Sequence, residues 1–305
     1  MIGCGKMNSK VKKIGLPILF SCSVALLFFV GLSIAIPKAE PLLIASQGRA
    51  ATPSTTKEKI HYTAVGDSLT EGVGDQTKQG GFVPLVADKL REEYKLTSVE
   101  IDNFGVGGER SDQILKRLKN DEDLRENVKS SDIISLTVGG NDLMKVIQSN
   151  IFGLSVKTFN KPSIEYQERI KEMFEVIREL NPTAPVYVLG IYNPFYLNFP
   201  EITDMQTIVD NWNEKTEEVV SEEENSYFIP INDLLYRGLN SEVGVATSDS
   251  DTTTTSDDNL NTVKNNVLYE EDHFHPNNLG YQLMANAVTD ELAKTESKWL
   301  EKEDK

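Results

Sequence analysis

Residues 60–74 read Ile-His-Tyr-Thr-Ala-Val-Gly-Asp-Ser-Leu-Thr-Glu-Gly-Val-Gly. Tyr62, Thr63, Ala64 and Val65 form a short strand-favouring run that stops abruptly at Gly66-Asp67-Ser68. Aromatic and β-branched residues bounded by Gly and Asp predict a buried parallel strand running into a tight turn. Open α/β sheets bind their ligands at the carboxyl ends of their strands, which is where Ser68 would stand. Gly, Asp and Ser are also ordinary turn formers, so an inert β-turn explains the triplet equally well when it is taken alone.

The far end of the chain shifts that balance. Asp272-His273-Phe274-His275-Pro276 places a carboxylate and an imidazole three residues apart, in a chain with three histidines. A hydroxyl is a poor nucleophile at neutral pH. It needs a base to take its proton and a third group to orient that base. Ser68, Asp272 and His275 supply these three types in that order. Between them lie Asn103-Phe104-Gly105-Val106-Gly107-Gly108 and Val138-Gly139-Gly140-Asn141-Asp142, two stretches able to furnish the donors of an oxyanion hole.

Gly-Asp-Ser-Leu, Asn-x-Gly-x-x-Gly, Gly-Gly-Asn-Asp and Asp-x-x-His-Pro, in this order and spacing, resemble the four blocks of the SGNH hydrolase, or GDSL esterase/lipase, superfamily. The match spans residues 60–292. Any one block is a weak signal; four in register are a strong one. The resemblance implies a Ser68 nucleophile and His275 as general base, then acid. Asp272 would fix the tautomer of His275 and stabilise the imidazolium. It further implies an oxyanion hole made by the backbone N–H of Ser68, the backbone N–H of Gly108 and the side-chain amide of Asn141. Gly108 is preferred to Gly105 and Gly107 from its spacing to Asn103. The sequence departs from the commoner family pattern at Glu109-Arg110. The Gly-x-Ser-x-Gly elbow of the α/β-hydrolases is absent at Ser68.

The other candidates take structural expectations. His273 is adjacent to Asp272, so in extended backbone it would point the other way; a position on the surface or pocket rim is expected. His61 lies within the first strand and is expected to be structural. Asp67 is expected to hold the turn, without a chemical role. Tyr192, Phe195 and Tyr196 follow the fourth strand and are expected either to line a pocket or simply to pack.

Strand and helix patterns alternate along the chain. Strands are expected over 62–65, 98–104, 132–138, 185–191 and 227–231. Helices are expected over 82–94, 111–118 with Ser111 as N-cap, 143–148 capped by Asn141 or Asp142, 163–180, 202–220 and 277–292. Right-handed βαβ crossovers then give an α/β fold: a flavodoxin-like three-layer α/β/α sandwich on a mostly parallel five-stranded sheet.

Net charge is -16 over 305 residues. The first 40 residues hold five lysines and one glutamate, so the remainder carries about -20. Phosphate binding needs clustered Lys and Arg, so no nucleic-acid partner is expected. Residues 14–36 are an uncharged run of 23 behind Lys6, Lys10, Lys12 and Lys13, long enough to cross a bilayer with the positive flank inside. An uncleaved signal-anchor over residues 1–40 is the first expectation. Cleavage near Ala35 or Ala39, giving a secreted protein, is the second, and a buried core helix the third. Residues 41–58 have tether composition. Cys4 and Cys22 both lie in the first segment, so no disulfide is expected in the domain over 59–305. Within that domain, residues 248–261 are too polar to bury. They mark a flexible insertion at about 242–264, either functionless or a lid over the site.

The expected activity is that of an exported, membrane-tethered serine ester hydrolase with no cofactor and no metal. Its ester substrate would be a lipid, a small carboxylic ester or an O-acetylated cell-wall glycan. Two alternatives stand beside it. One is a metal-dependent hydrolase using Asp272, His273 and His275; the other is a non-catalytic cell-wall binding module.

Overall fold

The computed structural model describes residues 56–150, 155–194, 204–237, 244–245 and 263–302. These belong to one compact unit, which spans Ser54–Lys305. Five parallel strands form its sheet: β1 (Lys59–Gly66), β2 (Ser98–Gly105), β3 (Ile133–Thr137), β4 (Val186–Leu189) and β5 (Ser226–Ile229). Their order is β2-β1-β3-β4-β5, and all four pairings are parallel. This is the doubly wound order of flavodoxin-like proteins, whose ligand crevice lies where the winding reverses. Here the reversal falls between β1 and β3, at the strand that ends in Gly66-Asp67-Ser68.

Strand side chains alternate between faces, so each central strand feeds two cores. Val65, Ile134, Leu136, Val186 and Val188 are buried against one helical layer. That layer contains α3 (Ser111–Asn120), α4 (Glu122–Ser130), α5 (Gly140–Ser149), α6 (Asn160–Leu180) and α7 (Met205–Glu222). Ile60, Tyr62, Ala64, Ile133, Tyr187 and Leu189 face the opposite layer. That side holds α2 (Phe82–Glu93), the short α8 (Asn232–Arg237) and the closing α9 (Asn278–Lys294). The near-continuous apolar runs of β3 and β4 follow from burial on both faces.

Several expectations are corrected. Ser111 is the first residue of α3 rather than its cap, and its hydroxyl bonds Asp142 across the fold. Asn141 and Asp142 lie inside the first turn of α5, whose cap position is Gly139. The helix α4 was not expected. Its signal was Asp121, which accepts from the N–H groups of Asp123 and Leu124 as a side-chain N-cap. Only Leu124 and Val128 anchor it to the core, too few to make a periodic stripe.

The last residues assigned to the tether belong to the domain edge. Thr56 bridges Glu301, and the Lys57 N–H donates to Leu300 O at 2.7 Å. The polar insertion leaves and rejoins through a two-residue antiparallel ladder, β6 (Gly244–Val245) with β7 (Val263–Lys264). Residues 248–261, 195–196 and 1–55 lie outside the described residues, and with them the lid, Phe195, Tyr196 and the 14–36 run. Among the described residues no helix is long and apolar enough to cross a membrane.

Candidate active site

β1 delivers the chain to the rim, and a buried hydroxyl cluster turns it there. Gly66 sits at φ 158°, and a Cβ on it would lie 2.2 Å from Thr137 Oγ1. Only glycine lets the strand end approach that close. Thr137 Oγ1 donates to Asp67 Oδ1 at 2.9 Å, and the Leu69 N–H donates to the same oxygen at 3.1 Å. Asp67 is 3% exposed, and burial pushes its carboxyl up despite the donors from Leu69 and Thr137. The expected holding role of Asp67 therefore has a mechanism. Its carboxylate fixes the first turn of α1 (Ser68–Glu71), which Ser68 opens.

Ser68, Asp272 and His275 come together from opposite ends of the chain. Ser68 Oγ lies 2.9 Å from His275 Nε2, and His275 Nδ1 lies 2.6 Å from Asp272 Oδ2. Asp272 Oδ1 also accepts the N–H groups of Phe274 and His275, at 2.8 and 3.0 Å. One carboxylate thus shapes the turn with one oxygen and holds the ring with the other. Partial burial raises the Asp272 pKa, but the His275 ring and these two N–H groups outweigh it and hold the carboxyl below its ordinary range. The Tyr192 hydroxyl donates to Phe274 O and ties this turn to the end of β4. His273 is exposed with φ 51°, apart from the relay.

The other two blocks flank Ser68. Asn103 bridges Thr70 O and the Gly105 N–H. The Gly107 N–H is taken by Glu71 Oε2 at 2.5 Å. Gly108 follows at φ 79°, a left-handed conformation suited to glycine. Among the described residues the N–H groups of Ser68 and Gly108 have no acceptor. Asn141 Nδ2 donates to Glu109 O at 2.9 Å, which leaves its second hydrogen uncommitted. Behind both loops the buried Asp142 accepts from the Ser111 N–H, Ser111 Oγ and Arg169 Nη2. Sequence reasoning passed over Arg117, Arg169 and Thr137, and read Asp142 only as a helix cap. None belongs to a catalytic residue pattern, and each is recognisable only by what it touches.

A pocket opens beside Ser68, walled by Leu69, Leu143, Ile191, Tyr192, Pro194 and Phe274, with Asn141 at its edge. Tyr192 thus lines the pocket, as one of the two expectations had it. Such an arrangement can move a proton from a hydroxyl to an imidazole and offer amide donors to an oxygen developing negative charge. Among the described residues no group of three or more His, Cys, Asp or Glu side chains assembles as a metal-ligand set.

Comparison with known proteins gives the family. Residues 64–283 match the GDSL-like Lipase/Acylhydrolase family, and the chain belongs to it. It is a carboxylic ester hydrolase. It is 34% identical over 250 residues to the uncharacterized protein YpmR of Bacillus subtilis (strain 168), covering 82% of this chain and 88% of that one. It is 34% identical over 140 residues to the spore germination lipase LipC of Bacillus licheniformis, covering 45% of this chain and 65% of that protein. Among solved structures, the lipase Lip_vut3 from a goat rumen metagenome matches with a TM-score of 0.59 and 25% identity, over 76% of this chain and 96% of that one. An acetylxylan esterase of Geobacillus stearothermophilus, Axe2, shares the fold at a TM-score of 0.53 and 16% identity, over 80% and 97%.

Proposed function

We propose that the ester hydrolase works through a Ser68–His275–Asp272 triad and an acyl-enzyme on Ser68, outside the cell. The observation that carries the triad is the unbroken hydrogen-bonded line from Ser68 Oγ through both ring nitrogens of His275 to Asp272 Oδ2. Ser68 Oγ attacks the ester carbonyl while Nε2 of His275 takes its proton. Asp272 keeps the Nδ1 hydrogen in place and balances the imidazolium. The N–H groups of Ser68 and Gly108 and the free amide hydrogen of Asn141 receive the carbonyl oxygen as it becomes negative. His275 then protonates the departing alkoxide. Water, deprotonated by His275, cleaves the acyl-enzyme by the same steps and releases the acid.

The apolar walls of the pocket favour an ester with an apolar acyl group, a lipid or a small carboxylic ester, over an acetylated glycan. Export and a membrane tether rest on the lysine-flanked 14–36 run. The test is turnover of p-nitrophenyl esters of increasing chain length by the full chain, by Ser68→Ala and by His275→Ala, with and without EDTA. Turnover that both substitutions abolish and EDTA spares is expected. Turnover surviving Ser68→Ala would overturn the reading. A profile confined to acetyl esters would redirect the substrate to acetylated glycans. Protease accessibility of the domain on intact cells tests export.

A further inference from the structure

Glu109 directly follows Gly108 in the chain. Its carboxylate accepts from Arg117 Nε at 2.7 Å, in an ion pair whose side chains are 15% and 18% exposed. Arg117 lies two turns into α3, and its guanidinium reaches back towards the helix start, the direction in which helical side chains lean. There both Nη atoms donate to the sheet. Nη1 donates to Phe104 O at 3.0 Å and Nη2 to Gly66 O at 3.1 Å. These are carbonyls at the carboxyl ends of β2 and β1, the strands that deliver the glycine loop and Ser68. Gly66 O accepts the Val106 N–H as well. One planar, permanently charged fork therefore joins both strand ends to the residue after Gly108.

The second half of the connection is Glu109 O, which accepts Asn141 Nδ2. Glu109 thus has its carboxylate on Arg117 and its carbonyl on the side-chain amide offered to the oxyanion. Gly108, immediately before it, has φ 79° and no atom within 4 Å of where a Cβ would be. The left-handed glycine is not wedged by packing on that side. The main-chain bond adjoining it, from the Glu109 N–H to Val106 O, is long at 3.3 Å. The Glu109–Arg117 pair is the side-chain ion pair nearest that glycine, and it ties the residue after it to the strand ends.

We propose that Glu109 and Arg117 are positioning residues for the oxyanion hole: the ion pair fixes the 107–109 loop on the ends of β1 and β2, and so sets both the Gly108 N–H and the Asn141 amide. The proposal rests on the oxyanion reading above. A donor displaced by a fraction of an ångström still binds the ground-state ester but serves the transition state poorly, so the effect falls on kcat rather than KM.

The test is a kinetic cycle on the full chain with Glu109→Gln, Arg117→Gln, Asn141→Ala and the doubles that combine Asn141→Ala with each. A thermal melt of every variant reports the folded fraction. Glu109→Gln is expected to lower kcat several-fold and Arg117→Gln by about tenfold or more, with KM held within about twofold. In the Asn141→Ala background each should cost less, because one of the two donors they aim is gone. Glu109→Asp, which keeps the charge, should recover part of kcat. If kcat is unchanged in both single variants, or if their losses multiply fully with that of Asn141→Ala, the clamp is overturned and the oxyanion reading stands. If Asn141→Ala itself leaves kcat unchanged, the oxyanion reading and the clamp both fall. Should Arg117→Gln fail to fold, Glu109→Gln, which touches no strand carbonyl, decides alone.

Discussion

Two histidines of this chain each bridge a serine and an aspartate. His275 joins Asp272 through Nδ1 and Ser68 through Nε2, beyond the carboxyl end of β1. His61 lies on β1 near its amino end and joins Asp102 through Nε2 at 2.7 Å and Ser130 through Nδ1 at 3.2 Å. The residue types are the same and the distances similar. What differs is the surroundings of the hydroxyl. Ser68 opens a helix, beside two unclaimed N–H groups and an apolar pocket. Ser130 closes α4, and its hydroxyl is already donated to Glu126 O and Asn127 O. It sits among carbonyls at the negative end of a helix, where an oxyanion would be repelled. Three residue types in reach of one another do not make a hydrolytic centre; donors waiting for the developing charge do.

The largest effects should separate the two arrays outright. Ser68→Ala and His275→Ala should each lower kcat by about 10⁴-fold or more. Ser130→Ala and His61→Ala should leave ester turnover within about twofold of wild type, since neither array member touches the pocket. A comparable loss in both pairs would erase the distinction drawn here. One step down, Asn141→Ala should cost about 10²-fold in kcat with the triad intact, measured by steady-state kinetics. A full rate in that variant would mean the flanking donors are not what sets Ser68 apart.

The two carboxylates beside Ser68 sharpen the comparison further, because they shift in opposite directions. Burial raises Asp67, so its favourable contribution is present below the ordinary carboxylate range and lost as pH rises through its folded value. Asp272 is lowered, so its contribution is present above the ordinary range and lost as pH falls through its folded value. The melting temperature of Asp67→Asn relative to wild type should therefore climb as pH rises from acid to neutral, while that of Asp272→Asn should decline. Parallel slopes would contradict the assigned environments. The smallest effect is expected at the other pole. His61→Ala, which breaks a partly exposed pair with Asp102, should cost about 1 kcal/mol of stability or less by chemical denaturation.

Much of the site was legible because its chemistry needs particular residue types at turns. Gly66-Asp67-Ser68 could be read from where an apolar run stopped, and Asp272 with His275 from their spacing before Pro276. The supports were not legible. Ser111 has the composition of an N-cap, yet its hydroxyl goes to Asp142, 31 residues away. Asn141 and Asp142 likewise read as caps, and each instead reaches across to the neighbouring loop. A local rule assigns a polar side chain to its nearest backbone, and here a distant partner wins in each case. The choice of Gly108 over its neighbours rested on spacing to Asn103. The fold adds a physical reason, since Asn103 occupies the Gly105 N–H and Glu71 the Gly107 N–H.

The sequence by itself determined the alternation of strand and helix, the parallel sheet that alternation demands, and the order of the four chemical blocks. The first two follow from local periodicity and backbone preference, which act over a few residues; the blocks are read from their resemblance to the family. Only the tertiary structure decided which amide hydrogens remain unclaimed and which polar side chains reach across to a distant loop. It alone placed the Arg117 guanidinium on the ends of two strands. Those outcomes depend on contacts between residues far apart in the chain, where packing and hydrogen-bond satisfaction over the whole sheet select the partner.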